Sequence, residues 1–341
     1  TVGILLKAGV TNAVIGGDRS LGAGNSVMHN FNGGIDAQDV VGLSILGNRV
    51  LANNIMNPSS YRGAVFVGGS TQVVVGDGTL NGRNVVGGQD GNNGQYSGSG
   101  VVIGNSPATS AASSEVSIEG NYIGVIDDGI TPYENFGTGV LIRDNSNNVL
   151  VRSNIIRNSY NNVGIAITNS AQSVAVLQNS IYNNQGIGID LNGNNIHEIN
   201  DAGDGDTGSN GLLNSPGYTN ITETAGNTDV EFSLDAPAGN YRIEFFSNTT
   251  PDSSGIGEGQ TYIGFMNITH TGSGLEAFST TLAGTGHTNL ALTATEINPS
   301  TPSGFGASSE FGGVGATPAP SRDIRATKRI INPQDKSVGN V

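Results

Sequence analysis

The sequence predicts an all-β protein: a parallel β-helix with three strands per coil over residues 1–215, a small antiparallel β-sandwich over 216–318, and a basic extended tail over 319–341. Three observations predict it. A repeat of steady period runs through the middle of the chain. Its apolar residues alternate in pieces only strand-long, and Asn and Gly separate those pieces at matching places.

The repeat is clearest where Asn148-Val-Leu-Val-Arg-Ser-Asn154-Ile-Ile-Arg-Asn158 precedes Gly164-Ile-Ala-Ile167. The pattern returns as Val174-Ala-Val-Leu-Gln-Asn179-Ser-Ile181 and Gly188-Ile-Asp-Leu191. Val151 to Val176 and Asn154 to Asn179 are 25 apart, and Gly164 to Gly188 is 24. Each unit holds three short strands with one face inward, which closes a coil. Asn at equivalent corners can stack in ladders, and both Asn and Gly accept the left-handed backbone of a sharp corner.

Looser copies lie nearer the N-terminus: Gly34-Ile-Asp36, Leu43-Ser-Ile45-Leu-Gly-Asn48-Arg-Val50, Gly63-Ala-Val-Phe-Val67, Val73-Val-Val75, Gly100-Val-Val-Ile103, Val116-Ser-Ile118-Glu-Gly-Asn121-Tyr-Ile123 and Gly139-Val-Leu-Ile142. Their spacing stretches to 30 to 39 residues. The surplus falls in Gly/Ser/Asn segments, 87–99 and 106–114, which read as loops projecting from one edge. Such insertions in solenoids often mark a binding face.

After Asn214-Ser-Pro216 the corner pattern stops and longer alternating runs begin: Val230–Leu234, Tyr241–Phe246, Thr261–Phe265, Ala277–Leu282 and Asn289–Thr295. Turn residues between them predict the sandwich.

Composition sets the class. Only 12% of residues are charged while Gly fills 53 positions, so the surface is built from uncharged polar groups. The net charge of −14 disfavours nucleic acid and anionic membranes as partners and favours divalent cations. With no Cys there is no disulfide frame, thiol nucleophile or thiolate metal site. No apolar run is long enough to insert in a membrane. The opening Thr1-Val-Gly-Ile-Leu-Leu already reads as a strand, which points to a fragment of a longer precursor.

The order of Gly188-Ile-Asp-Leu191, the acidic stretch 201–210, Ile243-Glu-Phe-Phe246, Gly257-Glu-Gly-Gln260, Leu292-Thr-Ala-Thr295 and Ser309-Glu-Phe311 resembles bacterial and archaeal surface proteins with right-handed parallel β-helix repeats followed by an Ig-like β-sandwich domain. The resemblance covers roughly residues 20–315. It implies an extracellular or cell-surface location and defines an architecture rather than an activity, because such folds carry lyases, hydrolases, adhesins and passive stalks.

The tail resembles the first strand of a further Ig-like surface repeat. Residues 319–341 hold five basic and two acidic residues, so the tail is +3 and the body −17. Ile324, Ala326, Lys328, Ile330 and Ile331 are therefore candidate assembly residues, donated as a strand to a neighbouring subunit or back onto the same one. Donated between subunits, they would give head-to-tail self-association and a filament.

For chemistry, the most specific cluster is Asn200-Asp201-Ala-Gly-Asp204-Gly-Asp206-Thr-Gly-Ser-Asn210. Alternating carboxylates with Gly suit a hard cation such as Ca²⁺, with Asp201, Asp204, Asp206 and Asn210 as ligands. The alternative is an ordinary acidic loop between domains.

Asp127-Asp128-Gly129 reads as a turn rather than a glycosidase pair, since adjacent strand residues face opposite ways. Arg152 with Asp144 reads as a surface ion pair. The four His residues form no metal or acyl-transfer spacing, and His197 reads as exposed. Asn220, Asn248 and Asn267 head glycosylation sequons in the sandwich.

The expected function is thus a non-catalytic structural or adhesive surface protein, with no catalytic residues assigned. The alternatives are a β-helix polysaccharide lyase or glycoside hydrolase, and a carbohydrate-binding adhesin contacting glycans through residues 87–114.

Overall fold

In the computed structural model, residues 2–53, 63–89, 98–160, 162–250, 256–287 and 289–313 are described. The donated-strand candidates Ile324, Ala326, Lys328, Ile330 and Ile331 lie outside them, as do parts of the 87–99 loop.

From Val2 to Asp190 the chain winds as a right-handed parallel β-helix with three sheets. One sheet stacks seven strands: Val2–Leu6, Gly33–Gln38, Val65–Gly68, Val101–Gly104, Val140–Ile142, Ile165–Ile167 and Ile189–Asp190. A second stacks six, from Thr11–Gly16 through Val41–Leu46, Thr71–Val75, Ser114–Glu119 and Asn147–Arg152 to Gln172–Leu177. The third stacks six short ones, from Ser26–Met28 to Ser180–Tyr182.

Register follows the apolar pattern. Val151 pairs with Val176 and with Ile118, and Ile118 pairs with Val75. Ile15, Ile45, Val75, Ile118, Val151 and Val176 thus form one buried column, each a coil above the last. A one-residue slip would turn that whole column to solvent, which fixes the register. The spacing between paired residues widens more than the sequence suggests: Val73 pairs with Val116, 43 positions on.

One corner carries an asparagine ladder. The backbone N–H of Asn48 donates to Asn84 Oδ1, that of Asn84 to Asn121, that of Asn121 to Asn154 and that of Asn154 to Asn179, at 2.8 to 3.1 Å. Each side-chain amide also donates to a strand carbonyl, as Asn121 does to Val75. The ladder satisfies polar groups where the chain leaves one sheet for the next.

Beyond the β-helix two antiparallel sheets face each other. Gly217–Thr224, Asn227–Leu234 and Glu276–Ala283 form one, and Thr261–His270, Gly239–Ser247, Leu290–Ile297 and Phe305–Ser308 form the other, in that order. Val230, Phe232, Ile243, Phe245 and Leu292 fill the space between, with Phe232 edge-on to Phe245 at 5.5 Å.

Strand Gly239–Ser247 is buried on both faces because the outer face of its sheet covers the last coil of the β-helix. Six backbone N–H groups of that coil find their acceptors there or in the connecting segment. Val174 donates to Asn210 Oδ1, Val176 to Ser308 Oγ and Gln178 to Glu244 Oε2, at 2.7 to 2.9 Å. Ile181 donates to the Gly259 carbonyl at 2.8 Å, Asn184 to Glu258 at 3.2 Å and Leu191 to Glu310 at 2.8 Å. An open sheet edge presents just such unpaired groups, and the sandwich covers them.

Phe311 completes the seam. Its ring stands edge-on to Phe246 at 5.3 Å and lies against Gly188 and Gly259, where an added Cβ would come within 2.7 Å of ring atoms.

Candidate functional site

Two surface features of the described residues carry polar groups suited to a ligand. The first is a cleft of about 540 Å³ on the outside of the seven-stranded sheet, close to the capped end. Strand residues Leu141 and Ala166 form its apolar floor, while Asn162, Thr168, Asn169 and the 192–195 turn raise its walls. The turn is held by Asp190, whose carboxylate accepts the backbone N–H groups of Asn192, Gly193 and Asn195 at 2.6 to 2.9 Å. That Asp is therefore committed to structure. Among the described residues lining the cleft, Arg143 is the one that is ionisable, and its guanidinium lies 3.3 Å from Asp144. Amides, hydroxyls and a guanidinium over an apolar floor supply donors and acceptors without an acid–base pair.

The second feature is the 201–206 loop. Ligand oxygens of Asp201, Asp204 and Asp206 all lie within 4.8 Å of one another. Asn214 shapes the loop: its Oδ1 accepts from Asp201 N–H at 3.0 Å, its Nδ2 donates to the Asp201 carbonyl at 2.8 Å, and its backbone N–H donates to Asp204 Oδ1 at 2.7 Å. Asp204 takes a left-handed backbone at φ 52°, tolerable for Asp.

Burial pushes the Asp204 carboxyl up to about 6; the Asn214 N–H opposes the shift, while Asp206, Asp201 and Glu296 add to it. The Asp206 carboxyl is raised for the same reasons, burial first and Asp201 next.

The fourth ligand expected from sequence, Asn210, is used differently. Its Oδ1 accepts from Val174 N–H, and its Nδ2 donates to the carbonyls of Val174 and Ser308 at 2.8 and 2.9 Å. Both ends of the amide seal the β-helix, because the buried strand edge there needs a donor and an acceptor at one point.

Other expectations also change. Arg152 pairs with Glu119 at 2.5 Å, one coil away in the same sheet, rather than with Asp144. His197 is not exposed: its Nε2 lies 3.0 Å from the Phe311 carbonyl, and burial holds its pKa below the usual imidazole value. Asp128 forms the turn foreseen, accepting from Ile130 N–H, Thr131 N–H and Thr131 Oγ1. Its neighbour Asp127 bridges Arg19 and Arg49. Asn220 and Asn267 stand exposed on the sandwich, and Asn248 is half-buried.

Sequence reasoning missed the capping carboxylates. Glu244 is fully buried, and burial raises its carboxyl against the opposing Gln178 N–H and Arg242. Burial likewise pushes Glu310 up to about 8, even though Leu191 and Glu198 N–H groups both donate to it.

No protein-family model matches the chain, and no curated protein matches it by sequence. Among solved structures, the chain is similar to full-length tailspike protein 2 of the Escherichia coli O157:H7 bacteriophage CAB120, with a TM-score of 0.32 and 10% identity. The match covers 87% of this chain and 49% of the tailspike, so the chain spans about half that protein's length. The fold assignment rests on the strand register above and not on this likeness.

Proposed function

We propose that this chain is a non-catalytic structural and adhesive module of an extracellular surface, holding hydroxyl-rich glycans in the cleft beside Asn162, Asn169 and Arg143. The observation that supports it is the chemistry of the cleft wall: neutral amides and hydroxyls, one guanidinium and, among the described residues lining it, no carboxylate. Glycoside hydrolysis uses two facing carboxylates about 5 to 9.5 Å apart, whereas retention of a sugar needs only paired donors and acceptors over an apolar patch.

In this proposal the sandwich is an Ig-like domain. Its first, second and fifth strands share one sheet and its fourth, third, sixth and seventh the other, an arrangement that keeps the central pairing of Ig-like sandwiches. Self-association through the 319–341 tail belongs to the same proposal; the covered end of the β-helix argues against coil-on-coil stacking at that end.

The test is binding of the full chain to an array of neutral and uronate-containing oligosaccharides, with product release followed in parallel. Retention of a glycan that Asn169→Ala and Arg143→Ala each weaken about tenfold, without release of products, is the expected result. Cleavage of any polymer, or binding untouched by both substitutions, would overturn it.

A further inference from the structure

A fourth carboxylate side chain reaches the acidic loop from the sandwich. Asp235 follows strand Asn227–Leu234, is only 4% exposed, and its Oδ2 accepts from the backbone N–H of Gly203 at 3.1 Å, in the middle of the 201–206 loop. Its other oxygen, Oδ1, is buried and has no hydrogen-bond partner among the described residues. Asn214 draws the same two segments together, since its Nδ2 donates both to the Asp201 carbonyl at 2.8 Å and to the Asp235 carbonyl at 2.9 Å.

A buried carboxylate oxygen without a partner is costly, and native proteins leave few of them. Here it belongs to a carboxylate bonded, through its other oxygen, to the loop whose three carboxylates converge within 4.8 Å. Three acidic side chains of the loop thus converge and a fourth, from the sandwich, is tied to the same loop through Gly203, with no basic partner given to Asp201, Asp204, Asp206 or Asp235 by any ion pair among the described residues. A cation is the group that resolves both the convergence and the orphaned oxygen.

We propose that Asp201, Asp204 and Asp206 bind a divalent cation, with Asp235 Oδ1 reaching it through a bridging water, and that the bound ion staples the β-helix exit to the sandwich. All-oxygen donors on a flexible Gly-rich loop suit Ca²⁺, which accepts six to eight ligands including waters in irregular geometry, better than Mg²⁺, which demands a near-ideal octahedron. The site is distinct from an EF-hand, whose closing Glu it lacks. It is also independent of the glycan cleft: failure of sugar binding would leave it standing.

The test is calorimetric titration of the full chain with CaCl₂ after chelator treatment, with thermal melting beside it. One Ca²⁺ per chain is expected, with a rise in melting temperature of roughly 5 °C at a hundredfold excess over Kd. Mg²⁺ should bind at least tenfold more weakly.

Asp206→Asn should abolish the Ca²⁺-dependent shift, and in chelator it should leave the protein as stable or more so, because it removes one of three mutually repelling carboxylates. Asp235→Asn should weaken Ca²⁺ about tenfold while leaving the chelator-treated protein as stable or more so, because it removes a buried carboxylate whose oxygen is unpaired. A titration without heat or thermal shift would overturn the proposal. So would an Asp235→Asn variant that binds Ca²⁺ like the parent.

Discussion

Asn121 sits in the middle of the asparagine ladder, and replacing it with Ala tests whether the ladder holds the corners of the rod. Its Oδ1 accepts from Asn84 N–H at 3.1 Å and from Asn84 Nδ2 at 2.9 Å, while its Nδ2 donates to the Val75 carbonyl at 2.7 Å and to Asn154 Oδ1 at 3.0 Å. Asn84 Nδ2 keeps a second acceptor in Ile45, and Asn154 Oδ1 keeps the Asn121 N–H. The groups left without these partners are the Asn84 N–H and the Val75 carbonyl, both at a fully buried corner. At about 1 to 3 kcal/mol for each stranded group, Asn121→Ala is expected to cost about 4 kcal/mol. Asn25→Ala is the control: Asn25 donates to Asn48 in the same way but lies exposed at the ladder's end, where water replaces the bonds, so its loss should cost under about 1 kcal/mol. Urea unfolding would show the difference as a lower midpoint at unchanged slope, and faster amide exchange at Asn84 would place it at the corner. Equal midpoints for the two variants would refute a stabilising role for the ladder.

Two further outcomes follow from the capped end. Because Glu310 is raised from an ordinary value near 4.5 to about 8, its contribution is fully present below 4.5 and is lost as pH rises through 8. The ceiling is about 5 kcal/mol for a group this buried, and unfolding of chelator-treated protein at pH 5 and pH 8 would measure it. Glu310→Gln should flatten that slope, and a parent protein equally stable at both values would refute the assignment. Phe311→Ala removes a ring held between Gly188 and Gly259 and should cost about 3 to 5 kcal/mol, read as faster exchange of the amides from Val174 to Leu191. Protection there unchanged from the parent would show that the seam does not depend on the ring.

The β-helix was readable in the sequence because every coil solves the same problem with the same residues. Val151 and Val176 stand in equivalent places since one inward face must stay apolar, and Asn48, Asn121, Asn154 and Asn179 recur since one corner needs a donor and an acceptor together. Asn84 belongs to that ladder but was hidden, because the inserted segment 76–83 parts it from the strand that ends at Val75, whereas Asn48, Asn121 and Asn154 each follow their strand within three residues. The acidic loop was readable as three carboxylates, but Asn210 was misplaced: four residues of sequence cannot tell an amide that faces a cation from one that plugs a strand edge. Asp235 lay out of reach because the contact that joins it to Gly203 spans 32 positions.

The cap was hidden for the same reason and explains more of the sequence than any single site. Glu244, Glu258, Ser308 and Glu310 meet partners 66, 74, 132 and 119 positions earlier, so no local pattern announces them. Yet Ile243-Glu-Phe-Phe246, Gly257-Glu-Gly-Gln260 and Ser309-Glu-Phe311 each place one acidic residue directly before an aromatic residue or Gly. Such a residue is an anomaly in a sandwich taken alone, where a buried carboxylate needs a partner. It is expected at a seam where a rod of parallel strands ends in a row of N–H donors. The side-chain oxygens substitute for the carbonyls of a coil that is not there, and the aromatic rings beside them keep water out. The sandwich is therefore fitted to the β-helix as its closing coil, and a β-helix separated from it would expose the edge that Glu244, Glu258 and Glu310 now cover.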